Sequence, residues 1–327
     1  MPRTHRRHFI GGLAAATALL IVQPMNAAAQ GGSPSLRIIV PASAGSGQDV
    51  MVRAAQNAMS RALGRPVVVE NLPGSGGVIG TQQLVKAAPD GNTIAFVSNN
   101  HTVNPAVYKK LPYDSLKDVT PITMVGETPF LLVVNPGRLP AHNAKELAAL
   151  IKARPDHYNF ASSGNGTILH LAAEMFVDAA GLKARHIPYR GAGPAITDLI
   201  GGQVDFAVLA VPAVQSHLKA GTLRAVAATG AVRVPSLANI PTLQEQGFNM
   251  TVGGWLAAIG PATLAPAEVK RLHDGIAAAW TSPEVKKAMA DQENIINPTT
   301  PEAALAIFSR EQARYADLVR KIGVTLD

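Results

Sequence analysis

The sequence predicts an α/β protein of two domains, each a mostly parallel sheet flanked by helices, with a ligand cleft between them. Three observations carry this prediction. Residues 36–98 alternate short apolar runs with helical stretches in the order β-α-β-α-β, the pattern of a parallel sheet covered by helices. A second such series begins near residue 144 and has apolar strands of its own. In both series strands run into Gly/Ser-rich loops that open helices, and ligands of such sheets sit beyond the carboxyl ends of the strands.

Composition sets the outer bounds. The chain has 327 residues, 47% hydrophobic and 16% charged, enough for a large core divided over two domains. It has no Cys, which excludes disulfides, thiol nucleophiles, thiolate metal ligands and a lipidated N-terminal Cys. Residues 1–29 read as an export signal: Arg3, Arg6 and Arg7 precede an apolar stretch from Phe9 to Val22, and Ala27-Ala28-Ala29 fits a cleavage site. The Arg6-Arg7 pair is compatible with Sec or twin-arginine export. The expected location is the periplasm. The net charge of +7 falls to +4 without the signal, because 26 basic and 22 acidic residues then remain. With no dense Lys/Arg run, nucleic acid is not an expected partner.

Taken in order, Leu36 to Pro41 reads as a first strand. The small-residue loop Ala42-Ser43-Ala44-Gly45-Ser46-Gly47-Gln48 follows it. A helix runs from about Asp49 to Leu63, with an apolar face at Met51, Ala54, Ala55, Ala58 and Ala62 and a stop at Gly64 and Pro66. Asp49 suits the helix start electrostatically, and ligand contact is its alternative role. Val67 to Glu70 is a strand. The loop through Gly76 and Gly77 then opens a helix to about Ala88, and Thr93 to Ser98 is the third strand. Pro121 to Val125 and Phe130 to Val134 are apolar strands in tandem, one expected chain crossing between domains; a strand from Met250 to Ile259 is the other.

The second series includes a strand at Tyr158 to Ala161, the turn Ser162-Ser163-Gly164-Asn165-Gly166 and the N-cap Thr167. An apolar stripe at Ile168, Leu171, Ala172, Met175, Phe176 and Ala179 makes the next stretch helical, and Gly181 ends it. Such a strand–turn–helix start presents backbone N–H groups and the positive end of a helix dipole, a ready anion site. Strands at 185–189, 205–210 and 223–228 alternate with helices at 194–200 and 213–220, and helices at 266–280, 283–291 and 301–322 close the chain. The domain boundaries expected from this are 30–128 with 250–327 for the first domain and 129–249 for the second.

Catalytic signatures are missing. The first loop lacks the third Gly of a dinucleotide fingerprint and the Lys of a phosphate loop, and G-x-S-x-G and H-E-x-x-H do not occur. His170 and Glu174 stand four apart with no third metal ligand, so they read as a hydrogen-bonded pair or as shapers of the loop. Arg190, at a strand end, is a carboxylate partner or a solvated side chain. Trp255 belongs to the core or to the cleft wall. No metal and no cofactor is expected. Several polar, Gly-rich helix starts without a catalytic group favour reversible binding over turnover.

The segments RIIVPASAGSGQD, VVVENLPGSGGVIG, AAPDGNTIAF, NPAVYKKLPYD, FASSGNGTILHLAAEMF, HIPYRGAGPAITDLIGGQVD and KAGTLRAVAATG occur in an order that resembles the solute receptors of tripartite tricarboxylate transporters, the Bug or TctC-type family. The resemblance covers nearly all of the chain after residue 29. It implies a two-domain periplasmic binding protein fold of type II-like architecture that closes on a small organic acid and passes it to membrane permease subunits. A monomer is expected. By position it implies ligand-binding roles for Ala42, Ser43, Ala44, Gly45, Ser46 and Asp49, for Gly76 and Gly77, and for Ser162, Gly166, Thr167 and His170. Ser98, Arg190 and Ala210 complete the expected site. Three departures stand out: Ala42 where an aromatic is usual, Ser46 where Gly is common, and Leu209-Ala210-Val211 where many relatives carry Asp-Asn. The last removes a carboxylate that could meet a ligand amine, so a non-amino acid is the expected ligand, with the apolar run facing its middle. Two other classes remain open at this point. One is the same fold as a ligand sensor for a membrane histidine kinase, and the other is a secreted hydrolase, which would turn its ligand over.

Cleavage after Ala29 makes Gln30 the expected mature start. N-terminal sequencing of exported protein checks this; a chain that retains Met1, or begins beyond Ser35, overturns it.

Overall fold

The computed structural model describes residues 34–326, and the expected signal at 1–29 lies outside the described residues. The first strand, β1 (Leu36–Val40), leads to α1 (Gly47–Leu63), β2 (Val67–Asn71), α2 (Val78–Val85), β3 (Thr93–Ser98) and α3 (Asn100–Val107). β4 (Val119–Thr128) and β5 (Phe130–Val134) are separated by Pro129 alone. The second series is α4 (Ala144–Ala153), β6 (Asn159–Ser162), α5 (Ile168–Ala179), β7 (Arg185–Pro188), α6 (Ala192–Ile200), β8 (Phe206–Ala210), α7 (Val211–Lys219) and β9 (Arg224–Ala228). β10 (Gly254–Pro261), α8 (Pro266–Trp280), α9 (Pro283–Asp291), β11 (Ile295–Ile296) and α10 (Pro301–Ile322) complete it.

These elements build two sheets. The first has the order β11-β4-β10-β3-β1-β2 and the second β7-β6-β8-β5-β9. Pairs among β1, β2 and β3 and among β6, β7 and β8 are parallel. β4 and β9 point the same way as these strands, so most of each sheet shares one direction; the exceptions are β5 and β10, antiparallel to both of their neighbours, and β11, antiparallel to β4. The reason is the route of the chain. β5 and β10 each enter a sheet directly from the other one, at the end where the parallel strands finish, and so must run against them. The two crossings lie side by side: Thr229 N–H donates to Phe130 O and Val252 N–H to Thr229 O, while Gly254 pairs with Thr128. The return strand begins at Gly254, after an irregular approach through Met250, Thr251 and Val252.

Local chemistry explains the helix ends. Ser46, Asn143, Thr167 and Thr300 accept main-chain N–H groups of their helices' first turns, and Gly64 and Gly323 take the left-handed conformation that stops α1 and α10. Residue alternation in β1 splits the first core: Leu36, Ile38 and Val40 pack with α1 and α8, while Ile39 faces Ala304 and Phe308 of α10.

α3 was not expected. It contains Pro105 and the polar residues Asn100, His101 and Asn104, which hide any helical stripe. Its apolar residues Val103 and Val107 pack into the second sheet's core with Leu171 and Ala172 of α5 and with Tyr315 and Val319 of α10. Asn99 pins its start to the return crossing: Nδ2 donates to Gly253 O at 3.1 Å, and Oδ1 accepts from Trp255 N–H at 2.9 Å. α10 thus ties the first sheet to the second: its Ala304 and Phe308 pack in a first-sheet core, and its Tyr315 and Val319 lie with α3 in the second sheet's cluster.

That cluster predicts cooperative unfolding. Both Trp residues belong to β10 and α8, so tryptophan fluorescence reports the first sheet, and far-UV circular dichroism the whole chain. The two urea transitions should coincide in the wild type. Tyr315→Ala, which empties a fully buried site, should cost about 3–5 kcal/mol, the scale of large aromatic truncations, and separate the two transitions.

Candidate functional site

A cavity of about 640 Å³ lies between the ends of the two sheets. Its wall is made almost entirely from the starts of α1, α2, α3, α5 and α6 and the loops before them. Main-chain N–H groups at helix starts lack intrahelical partners, and the helix dipole is positive there.

The first loop is held from behind by Asp49. Its carboxylate is buried and accepts from Gly45 N–H at 2.8 Å, Arg53 Nε at 2.8 Å and Asn71 Nδ2 at 2.9 Å. Asn71 Nδ2 also donates to Ala42 O at 3.1 Å. Burial raises the pKa of Asp49, but Gly45, Asn71 and Arg53 outweigh it and leave the carboxyl below its usual range. The second loop turns through Gly77, whose φ of +93° suits glycine, and a Cβ there would meet Pro41 Cβ at 3.3 Å. Asn104 Nδ2 fixes this loop through Gly76 O at 3.1 Å.

The third loop, Ser162 to Thr167, is bound up in its own network. Ser162 Oγ contacts His186 Nε2 at 2.6 Å and accepts from Gly164 N–H at 3.1 Å. Gly166 N–H donates to His170 Nδ1 at 3.1 Å, which puts the ring proton on Nε2, 3.4 Å from Glu174 Oε1. The two imidazoles stack with centroids 3.7 Å apart. Burial first, and then His170, push His186 down to about 3, so it is neutral near pH 7. Gly166 has φ +69°, and a Cβ would lie 3.0 Å from Leu326 and 3.3 Å from Val107. Thr167 Oγ1 caps α5 by accepting from His170 N–H at 3.4 Å, and it donates to Gly164 O at 2.9 Å.

The electrostatics of the wall are one-sided. No Asp or Glu lines the cavity, and Arg190 is its one side chain that is charged at neutral pH. Arg190 is exposed and has no ion pair or hydrogen bond among the described residues. His101, also in the wall, is pushed by burial to about 4 and bonds Ser115 O through Nε2 at 2.8 Å, so it is neutral.

Of the residues singled out in the sequence, Ala42, Ser43, Gly76, Gly77, Ser98, Thr167 and Arg190 line the cavity. Ala44, Gly45, Ser46, Asp49, Ser162, Gly166 and His170 do not line it; Asp49, Ser162 and His170 are buried, while Ala44 and Gly45 are exposed. Ala210 does not line it either: it pairs with Phe130 beside the crossing. Leu209 and Val211 are fully buried in the core, so the apolar run does not face the middle of the cavity as expected; strand alternation and the start of α7 turn it inward. Trp255 is buried and stacks on Phe308 at 5.2 Å. The Thr167 hydroxyl is committed to its cap, so Thr167→Val would test helix stability along with binding. Sequence reasoning missed Gln48, Ser75, Asn100, Asn104, Ser163 and Gly191, all in the wall. The small-residue loop was the signal for Gln48. Nothing in the pattern marked the α3 residues.

Residues 51–324 match the family model described as tripartite tricarboxylate transporter family receptor. The chain is 36% identical over 294 residues to Protein BugT of Bordetella pertussis, covering 89% of this chain and 90% of that one. Among solved structures, periplasmic binding protein BugD matches with a TM-score of 0.80 at 32% identity, over 89% of this chain and 98% of the other. A Rhodopseudomonas palustris protein with adipate matches with a TM-score of 0.82 at 26% identity, over 89% and 98%.

The Asp49 network generates a pH prediction. A carboxyl whose folded pKa is depressed contributes stability that is fully present above its unfolded pKa, near 3.8, and is lost as pH falls through the folded value. Asp49→Asn should therefore cost about 1–3 kcal/mol at pH 7, the scale of leaving buried partners short of an acceptor. That difference should be constant above about pH 5 and shrink below about pH 4. Urea unfolding of both proteins across pH 3–7 measures it.

Proposed function

The chain belongs to the tripartite tricarboxylate transporter receptor family, and on that premise we propose that it captures a small organic carboxylate in the cavity between its two sheets and delivers it unchanged to membrane permease subunits. The observation that carries this is the wall itself: helix starts from both sheets, one unpaired arginine and no carboxylate. An acid entering the cavity loses water, and fixed donors must replace it. Helix N–H groups and Arg190 are such donors, and no wall residue carries a negative charge.

Binding without chemistry is the reading the wall supports. Ser163 Oγ donates to Thr167 Oγ1 at 3.2 Å, neither hydroxyl bonds an imidazole or carboxylate among the described residues, and His101 Nε2 is engaged by a carbonyl. The mature protein acts in the periplasm, after export directed by residues 1–29. Among the described residues no helix is long and apolar enough to cross a membrane. The two lobes comprise 30–128 with 250–327, and 129–249.

The absence of an acidic side chain in the wall also selects among acids. An ammonium group would find no counter-charge and would share the cavity with Arg190. The ligand is therefore a non-amino acid. Titration calorimetry with succinate against aspartate, within a panel of aliphatic and aromatic acids, tests the class. Succinate or another non-amino acid should bind more tightly than its amino counterpart; preference for the amino acid overturns this. Arg190→Ala should weaken binding roughly tenfold, about 1.4 kcal/mol, the low end for a charged hydrogen bond because the side chain is exposed. Affinity equal to wild type would remove Arg190 from the site.

A further inference from the structure

We propose that Gln48 reads a hydroxyl group on the ligand, so that the site takes hydroxylated carboxylic acids in preference to their deoxy counterparts. The inference rests on the carboxylate reading of the cavity and adds a second recognised group.

Gln48 is the second residue of α1, is half-buried and lines the cavity. Its Nε2 donates to the main-chain carbonyl of Phe96 at 2.5 Å. A carbonyl can only accept, so the amide has one orientation: nitrogen toward Phe96, oxygen away from it. The anchor is rigid, because Phe96 is fully buried in β3, between β1 and β10. Oε1 accepts from no described residue. What the side chain has left to offer the cavity is a fixed acceptor beside the second N–H of the amide, a pair that a hydroxyl can both donate to and accept from.

That acceptor differs in kind from the donors around it; Asn104, whose Nδ2 is spent on Gly76 O at 3.1 Å, is the other side-chain amide of the wall held this way. Asn100, across the wall, has spent its oxygen on Ile168 N–H at 3.2 Å and retains its NH₂ donor. Arg190 and the helix-start N–H groups are donors as well. These suit the carboxylate, and Gln48 Oε1 would repel it. The ligand must therefore turn a hydrogen-bond donor toward Gln48 while its carboxylate engages the donors. An ammonium has no counter-charge in this wall, whereas a hydroxyl is neutral, donates one hydrogen bond and carries no such penalty. Sites with a pinned acceptor discriminate against ligands that lack the donor, because the acceptor is then buried unpaired.

The test is titration calorimetry with matched pairs: malate with succinate, lactate with propionate, and 4-hydroxybenzoate with benzoate. In the wild type, the hydroxylated member of the tightest-binding pair should bind tenfold or more tightly than its partner. In Gln48→Met, that ratio should fall to about one, with a melting curve of the ligand-free protein confirming the fold. Gln48→Glu keeps the side-chain length and supplies an independent check: every acid in the panel should weaken by more than tenfold, and aspartate should gain on succinate. Equal binding within all three pairs overturns the proposal and leaves the carboxylate reading standing, as does a wild-type ratio retained in folded Gln48→Met. Failure of every acid to bind at millimolar concentration overturns both.

Discussion

The helix starts surrounding the cavity face one another across α3, a helix that belongs to the first sheet by chain order and to the second sheet's core by packing. It follows β3 of the first sheet, yet Val103 and Val107 are buried against α5 of the second. Gly166 is pressed against Val107 and Leu326, so the second lobe's loop rests on the floor that α3 makes. Asn99 fixes the same helix to the return crossing, and Asn100 caps α5 from the opposite lobe through Ile168 N–H. The donors near α3 are thereby set before a ligand arrives, which lowers the ordering cost of binding.

Around that floor the polar side chains divide into those that hold the loops and those that line the cavity. Asp49, Asn71, Ser162, His170 and His186 are turned away from the cavity and satisfy one another or the loop backbone. A buried carboxylate is expensive, and Asp49 is stable because three donors converge on it and its near neighbour Arg53 balances its charge. The stack of His170 on His186 does the same for the second loop. Both devices leave the wall free of acid while keeping its loops fixed.

Much of this was legible from residue types, and the failures have physical causes. The Gly-rich loops, the Thr167 cap and the alternation of strands with helices are local properties, and each stands where the sequence put it. Which residue of a loop faces the ligand is not local. Ser162 is the last residue of β6 and is fully buried, whereas Ser163, one residue on, lines the cavity. Asp49 and Gln48 exchange roles in the same way, because the first turn of α1 directs one toward Asn71 and the other toward the cavity. A recurring motif marks residues that are structurally constrained, and here those are the holders. α3 escaped notice because Pro105 and its polar neighbours suppress the helical pattern, and only the opposing core explains why it forms. The antiparallel setting of β5 and β10 likewise depends on how the chain crosses between sheets, which no residue pattern encodes.

The single arginine in the wall has a consequence for release. A hydrogen bond to a charged group contributes about 1.5–3 kcal/mol, and one between neutral partners about 0.5–1.5 kcal/mol. Each 1.4 kcal/mol is tenfold in affinity, and differences among related complexes appear mainly in the dissociation rate. A wall with several arginines would hold an organic acid for correspondingly longer. A receptor must give its ligand up, so its donors have to be numerous enough to replace the lost water and individually weak enough to let go. Main-chain N–H groups at several helix starts meet both conditions: they are fixed by the helices, each contributes little, and the dipoles behind them supply positive potential without a counter-ion. On the carboxylate reading, with Arg190 the one charged side chain of the wall, separation of the two walls would remove the binding energy in small steps as water returns.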